Sequence, residues 1–133
     1  MSGFKILQPK NWTPPQGYAN GVAAQGRTVF IAGQIAWNER AELVSREFAP
    51  QVEQALKNIV TVLAEAGGAP RHLTRLNWFV TDKSAYLEQR RQIGVAYRRV
   101  IGRHFPAMTL VVVAGLLEEG ALVEIEATAV VPE

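Results

Sequence analysis

The hydrophobic period changes several times along this chain, and the order of those changes limits the folds open to it. Over residues 121–130, ALVEIEATAV, the alternation is strict. A strand with that pattern sends Val123, Ile125, Ala127, Ala129 and Val131 to one face, and Leu122, Glu124, Glu126, Thr128 and Val130 to the other. The first set is a core face; the second holds two carboxylates about 7 Å apart. From Pro50 to Ala66 the repeat lengthens. Val52, Leu56, Ile59, Leu63 and Ala66 recur at helical spacing, while Gln54, Lys57, Thr61 and Glu65 fall off the stripe. Gly67-Gly68 then ends the helix, as glycine does just past a C-cap.

Between these segments lie further strands. YANGVAAQ (18–25) and RTVFIAGQIAW (27–37) read as two strands turning at Gln25-Gly26. PKNWTPPQG (9–17) is a loop leading into them, and NERAELVSREF (38–48) loops out. LTRLNWFVTD (73–82) is a long strand with Leu76, Trp78 and Val80 on one face. A second helix is expected from Ser84 to Gly102, with Leu87, Ile93, Tyr97, Val100 and Ile101 inward. AMTLVVVAG (107–115) is almost wholly apolar, which implies burial on both faces. A short strand can precede all of this at Phe4–Leu7. The order β-β-α-β-α-β-β predicts an α+β layer fold: a mixed sheet with two helices on one face. Strands apolar on both sides leave the second face to be covered, and association between copies is the simplest cover.

Composition removes several classes of function. A length of 133 residues with 48% hydrophobic content suits one domain, residues 1–133. A net charge of +2 does not by itself argue for nucleic acid. The absence of cysteine excludes disulfides and thiolate chemistry. The polar start SGFKILQPKNW predicts no signal peptide, and no apolar run reaches the ~18 residues of a membrane span, so a cytoplasmic protein is expected. His72 and His104 are too few for a metal site, and no metal or cofactor is expected. Ser2, Ser45 and Ser84 have no neighbouring histidine to activate them. Arg90, Arg91, Arg98, Arg99 and Arg103 on the second helix suggest either an RNA face or a solvated outer helix. At ~100° per residue they spread around more than half of the circumference, which argues against nucleic acid.

YANGVAAQGRTVFIAGQI, QALKNIVTVLAEAGG, WFVTD, FPAMTLVVV and LVEIEATAV, taken in that order, resemble the RidA/YjgF family, also labelled L-PSP endoribonuclease and translation inhibitor. The resemblance covers about Tyr18 to Val131. It implies a chorismate-mutase-like fold and a homotrimer, with sheets lining an inner barrel and small-molecule clefts between subunits. It implies hydrolysis of reactive enamines and imines to ketoacids and ammonia without cofactor or metal.

Residue by residue, the family's cleft-mouth aromatic matches Tyr18, and its Ser-Gly-Gln turn matches Ala32, Gly33 and Gln34. An asparagine aligns with Gly94, the Pro-Ala-Arg-Ser segment with Pro106 to Thr109, and a polar or thiol residue with Leu110. The site glutamate matches Glu124, the position for an acid that orients or activates water. Glu126 beside it can raise one carboxyl pKa of the pair or meet a basic side chain at a subunit boundary. Met108 stands where the family has an arginine for a substrate carboxylate, and methionine cannot form that two-pronged bond. Trp37, just past the Gly33-Gln34 turn, can cover the cleft and make it more apolar, whereas Trp78 reads as core or as a subunit contact. The usual 2-iminoacid chemistry is therefore expected to be weak or absent, unless Arg75 or Arg91 compensates. The remaining readings are a non-catalytic small-molecule binder, a deaminase of aminomuconate-like molecules, and an endoribonuclease.

Overall fold

The structure is a computed structural model that describes residues 3–133; Met1 and Ser2, at the head of the polar N-terminal stretch, lie outside it. β1 (Phe4–Leu7) pairs antiparallel with β2 (Gly21–Ala24) in a small ribbon. The main sheet comprises β3 (Arg27–Gln34), β4 (Leu73–Val80), β5 (Ala107–Val112) and β6 (Val123–Val131), in the order β3-β6-β4-β5. β4 and β5 are parallel, and β6 runs antiparallel to both of its neighbours. A parallel neighbour needs a crossover. Helices α2 (Lys83–Glu88) and α3 (Arg90–Val100) provide it between β4 and β5, and α1 (Phe48–Glu65) lies between β3 and β4 in the chain.

The C-terminal alternation has the expected outcome. Val123, Ile125, Ala127, Ala129 and Val131 are buried, and the residues between them are half-buried. They join Leu73, Leu76, Trp78 and Val80 of β4 in one core with Val52, Leu56, Ile59 and Leu63 of α1 and Ile93 and Tyr97 of α3. All of the helical packing is therefore on one side of the sheet. The end of α1 follows the pattern that two glycines predict. Gly67 has φ +75°, its N–H donates to Ala64 O at 2.9 Å, and Gly68 N–H donates to Leu63 O at 3.1 Å. Gly68 also leaves room for Leu63, whose Cγ would stand 2.9 Å from a Cβ there.

Four expectations need correction. The segments on either side of Gln25-Gly26 do not pair with each other: β2 joins β1 and β3 joins β6. Gly26 (φ +146°) turns the corner so close to Val131 O that no Cβ would fit. The second helix is two helices, broken at Gln89, whose N–H is shared between Ala85 O and Tyr86 O. The break lets Tyr86 stay near Phe48, at 6.4 Å between rings, while Ile93 and Tyr97 face the sheet. Leu87, expected inward, is exposed as a result. α1 begins at Phe48 rather than Pro50, since proline is tolerated in a first helical turn. Finally, β5 is an edge strand. Met108 and Leu110 pack on the core, but Thr109, Val111 and Val112 are exposed.

Candidate functional site

The loop before β6 is held by a residue that the apolar stripe does not single out. Gln51 of α1 is fully buried. Its Nε2 donates to Ser45 O at 2.9 Å and Gly120 O at 2.8 Å, and its Oε1 accepts from Leu122 N at 2.8 Å. Three backbone groups of two loops are thereby satisfied, and β6 starts from a fixed point.

Two residues later Glu124 projects to the side of the sheet without helices, in register with Phe79 of β4. Its carboxylate lies over Gly33, where a Cβ would stand 2.8 Å from Glu124 Cδ. Only glycine permits that approach. The β3–β6 register shifts between Ile31 and Gln34, a bulge that brings Gly33 to this place. Gln34 Nε2 donates to Ala32 O at 3.2 Å, and its Oε1 accepts from Trp37 Nε1 at 3.2 Å. Asn58 of α1 donates to Ile35 O and Trp37 O and fixes the segment that follows β3. Gly33, Gln34, Trp37 and Glu124 thus form one group. Glu126 shares the face of Glu124, in register with Asn77.

Tyr18 and Met108 form a second group elsewhere. Ala19 N–H donates to Pro106 O at 3.0 Å and bridges to Ala107, which lays the 18–19 segment along the free edge of β5. Met108 is in register with buried Leu76 and faces the helices. Both line a cavity of about 570 Å³ between β5, α3 and the segment before β2. Trp78, Tyr97 and Phe105 form one wall. Tyr97 stacks on Phe105 at 5.4 Å and 12°, and on Trp78 at 6.4 Å and 28°. The Tyr97 hydroxyl donates to His104 O at 2.6 Å. Burial pushes the Tyr97 phenol well above the usual tyrosine range, so it stays protonated.

In one chain, then, Glu124 and Met108 occupy opposite faces of the sheet, and Trp37 does not reach the Met108 cavity. Arg75 is exposed on the helix-free face, in register with Thr128, and Arg91 lines a groove between α1 and α3. The arginines that do line the Met108 cavity are Arg90 and Arg98. Sequence reasoning passed over them because five arginines around one helix look dispersed. The signal that finds them is narrower: Arg90, Gly94 and Arg98 repeat at i, i+4, i+8. The other α3 arginines differ; Arg99 Nη1 meets Glu53 Oε1 at 2.6 Å.

The two histidines approach each other on a different side, near Phe4, whose ring is 5.2 Å from that of His104. His104 Nε2 lies 2.8 Å from Leu73 O, and His72 Nδ1 accepts from Ala69 N at 2.9 Å. Burial, then Arg71 and His104, hold the His72 imidazole below its ordinary pKa. Among the described residues no three His, Asp or Glu side chains are grouped as a metal site would require.

These features define a class: an α+β layer protein with helices on one sheet face and a glycine-seated carboxylate on the other. The chain belongs to the family described as Endoribonuclease L-PSP, the RidA/YjgF family, whose model matches residues 9–131. It is 30% identical to a RutC family protein of Synechocystis sp., over 97% of this chain and 98% of that one. It is also 30% identical to the 2-iminobutanoate/2-iminopropanoate deaminase of Homo sapiens, over 78% of this chain and 73% of that one. The crystal structure of the Rid-family protein YyfB from Yersinia pestis shares the fold with a TM-score of 0.87. Identity is 32%, with 97% of this chain and 99% of that chain covered. No helix among the described residues is long and apolar enough to cross a membrane.

Proposed function

We propose that this chain is a single-domain, RidA-like cytoplasmic protein that assembles as a homotrimer and deaminates an enamine or imine in clefts between copies. The observation that carries this reading is the split of the two residue groups. Glu124 with Gly33 lies on one sheet face, and the cavity containing Tyr18 and Met108 lies on the other. A cleft that uses both must take one from each of two chains. The helix-free face also carries apolar surface that a partner would bury: Phe30 is 81% exposed and Val111 41%.

In such a cleft the water oxygen adds to the imine carbon while the C=N π pair moves to nitrogen. Glu124 takes a proton from the water and delivers it to that nitrogen. Collapse of the amino alcohol moves the hydroxyl proton by the same route and expels ammonia, leaving the ketone. General acid–base help of this kind is worth ~10² to 10⁴ in rate. No cofactor enters these steps. Met108 offers no charge to a small 2-iminoacid, so turnover of such molecules is slow. A second reading, binding without turnover, is favoured by the cavity itself, which no acidic side chain lines. The dispersal of the α3 arginines between the cavity, the groove and Glu53 favours neither RNA binding nor ribonuclease action.

The test is an imine-trapping assay. 2-Iminobutanoate and a larger aryl imine are generated enzymatically, and semicarbazone formation is followed with and without the protein. The deaminase reading expects trapping to fall for at least one imine, and to recover with Glu124→Gln. Unchanged trapping for both leaves the binding reading.

A further inference from the structure

We infer that the Met108 cavity is a site for planar aromatic monocarboxylates, with Arg98 as the carboxylate anchor and Arg90 adding positive charge at the mouth. This deepens the reading above and rests on it only in taking the cavity as the ligand end of the cleft. The walls argue for an aromatic ligand. Tyr18, Trp78, Tyr86, Tyr97 and Phe105 all line the space, with Met108 and Leu110 supplying apolar surface from β5. The stack of Trp78, Tyr97 and Phe105 is already assembled and tied down by the Tyr97 hydroxyl, so a ring entering beside it orders little protein. A volume of about 570 Å³ holds a one-ring molecule with a short side chain.

The charge argues for an anion. Neither Arg90 nor Arg98 has an ion-pair partner among the described residues, and no Asp or Glu lines the cavity. Two guanidinium groups therefore face one apolar space with no counter-charge from the chain.

The position of Arg98 selects the anchor. Gly94 lies one turn before it on α3. Arg98 Nη1 is 3.4 Å from where a Cβ on Gly94 would be, and apart from the backbone of α3 itself no other atom of the described residues beyond its chain neighbours comes within 4 Å of that point. The missing side chain at 94 leaves an open seat beside the guanidinium. A carboxylate there can receive two parallel N–H bonds from its planar fork. Glycine in a helix interior is destabilising relative to alanine, so the gap has a cost that a ligand seat accounts for. One polar group is left over: Trp78 is 5% exposed and its Nε1 has no hydrogen-bond partner among the described residues.

The experiment is isothermal titration calorimetry on the purified full-length protein with four probes: phenylpyruvate, pyruvate, phenylacetone and phenyl phosphate. Phenylpyruvate is expected to bind at least about tenfold more tightly than either pyruvate, which lacks the ring, or phenylacetone, which lacks the carboxylate. Arg98 is exposed, so Arg98→Met folds, and it weakens phenylpyruvate by about tenfold while leaving phenylacetone unchanged. Arg98→Lys recovers part of the loss. Equal affinity for pyruvate and phenylpyruvate, no effect of Arg98→Met, or a preference for phenyl phosphate would each overturn the inference. Because the readout is binding, it stands apart from catalysis. Phenylpyruvate binding without imine turnover sinks the deaminase reading alone, and turnover of 2-iminobutanoate without phenylpyruvate binding sinks this inference alone.

Discussion

Replacing Gln51 with methionine keeps the length and most of the volume of the side chain but removes its amide. No cavity is created, so the change isolates polar ties. Three hydrogen bonds of 2.8–2.9 Å disappear: those to Ser45 O and Gly120 O, and the one from Leu122 N. Each is worth about 1 kcal/mol net, and more where the stranded partner stays buried. The side chain is fully buried, so the upper range applies and the sum is about 3–5 kcal/mol. With an unfolding entropy of about 2.1 cal/mol/K per residue over 133 residues, that corresponds to a fall in Tm of about 11–18 °C. The assay is thermal unfolding by circular dichroism, at one fixed protomer concentration because association shifts Tm. The control is Gln54→Met, one helical turn away in the same helix. Among the described residues the Gln54 side chain bonds only that of Asn58, and its loss should cost under about 1 kcal/mol. A Gln51→Met protein that melts within about 2 °C of the original, or no lower than Gln54→Met, would refute the reasoning.

Two further outcomes follow from the geometry. Gly33→Ala places a Cβ 2.8 Å from Glu124 Cδ and 3.0 Å from Cγ, so the flexible carboxylate must swing away while the fold survives. Imine trapping should then reveal a loss of about 10²-fold, close to that of Glu124→Gln, with a stability change under about 1 kcal/mol; full activity in Gly33→Ala would remove Glu124 from the chemistry. His72 has a folded pKa below its unfolded value, because of burial and then Arg71 and His104, so the unfolded chain binds the extra proton first. Its contribution is complete above about pH 6.5 and is lost as pH falls through the window below. Urea titrations at pH 7.5 and 5.5 should show a smaller difference for His72→Gln than for the original chain, and equal differences would contradict this assignment.

How much of this was legible in the sequence depended on the range of each signal. The β6 alternation and the α1 stripe are local repeats, and both gave the correct buried face. Gly67-Gly68 was equally local. Strand partners were not: nothing in YANGVAAQ says that it pairs with Phe4–Leu7 rather than with the strand just after it. The apolar run in β5 was read as burial on both faces, but it marks an edge whose outer side is open in the protomer. Gln51 was missed because a polar residue beside an apolar stripe gives no sign that two loops need its amide. Of the candidate residues, Gly33, Gln34, Trp37 and Glu124 come together, as do Tyr18 and Met108. The division between these groups follows from which sheet face each occupies, which spacing along the chain does not reveal. Arg98 became visible only once Gly94 was seen to leave the space beside it.

Self-association tests the account most directly, since Glu124 and the Met108 cavity can share a cleft only if copies of the chain meet. Light scattering at micromolar concentration should report three times the protomer mass. Phe30→Glu, which sets a charge on the most exposed aromatic of the helix-free face, should lower that mass toward one protomer and abolish any imine turnover. A protein that scatters as a single chain, or a Phe30→Glu variant that remains an active single chain, would contradict it.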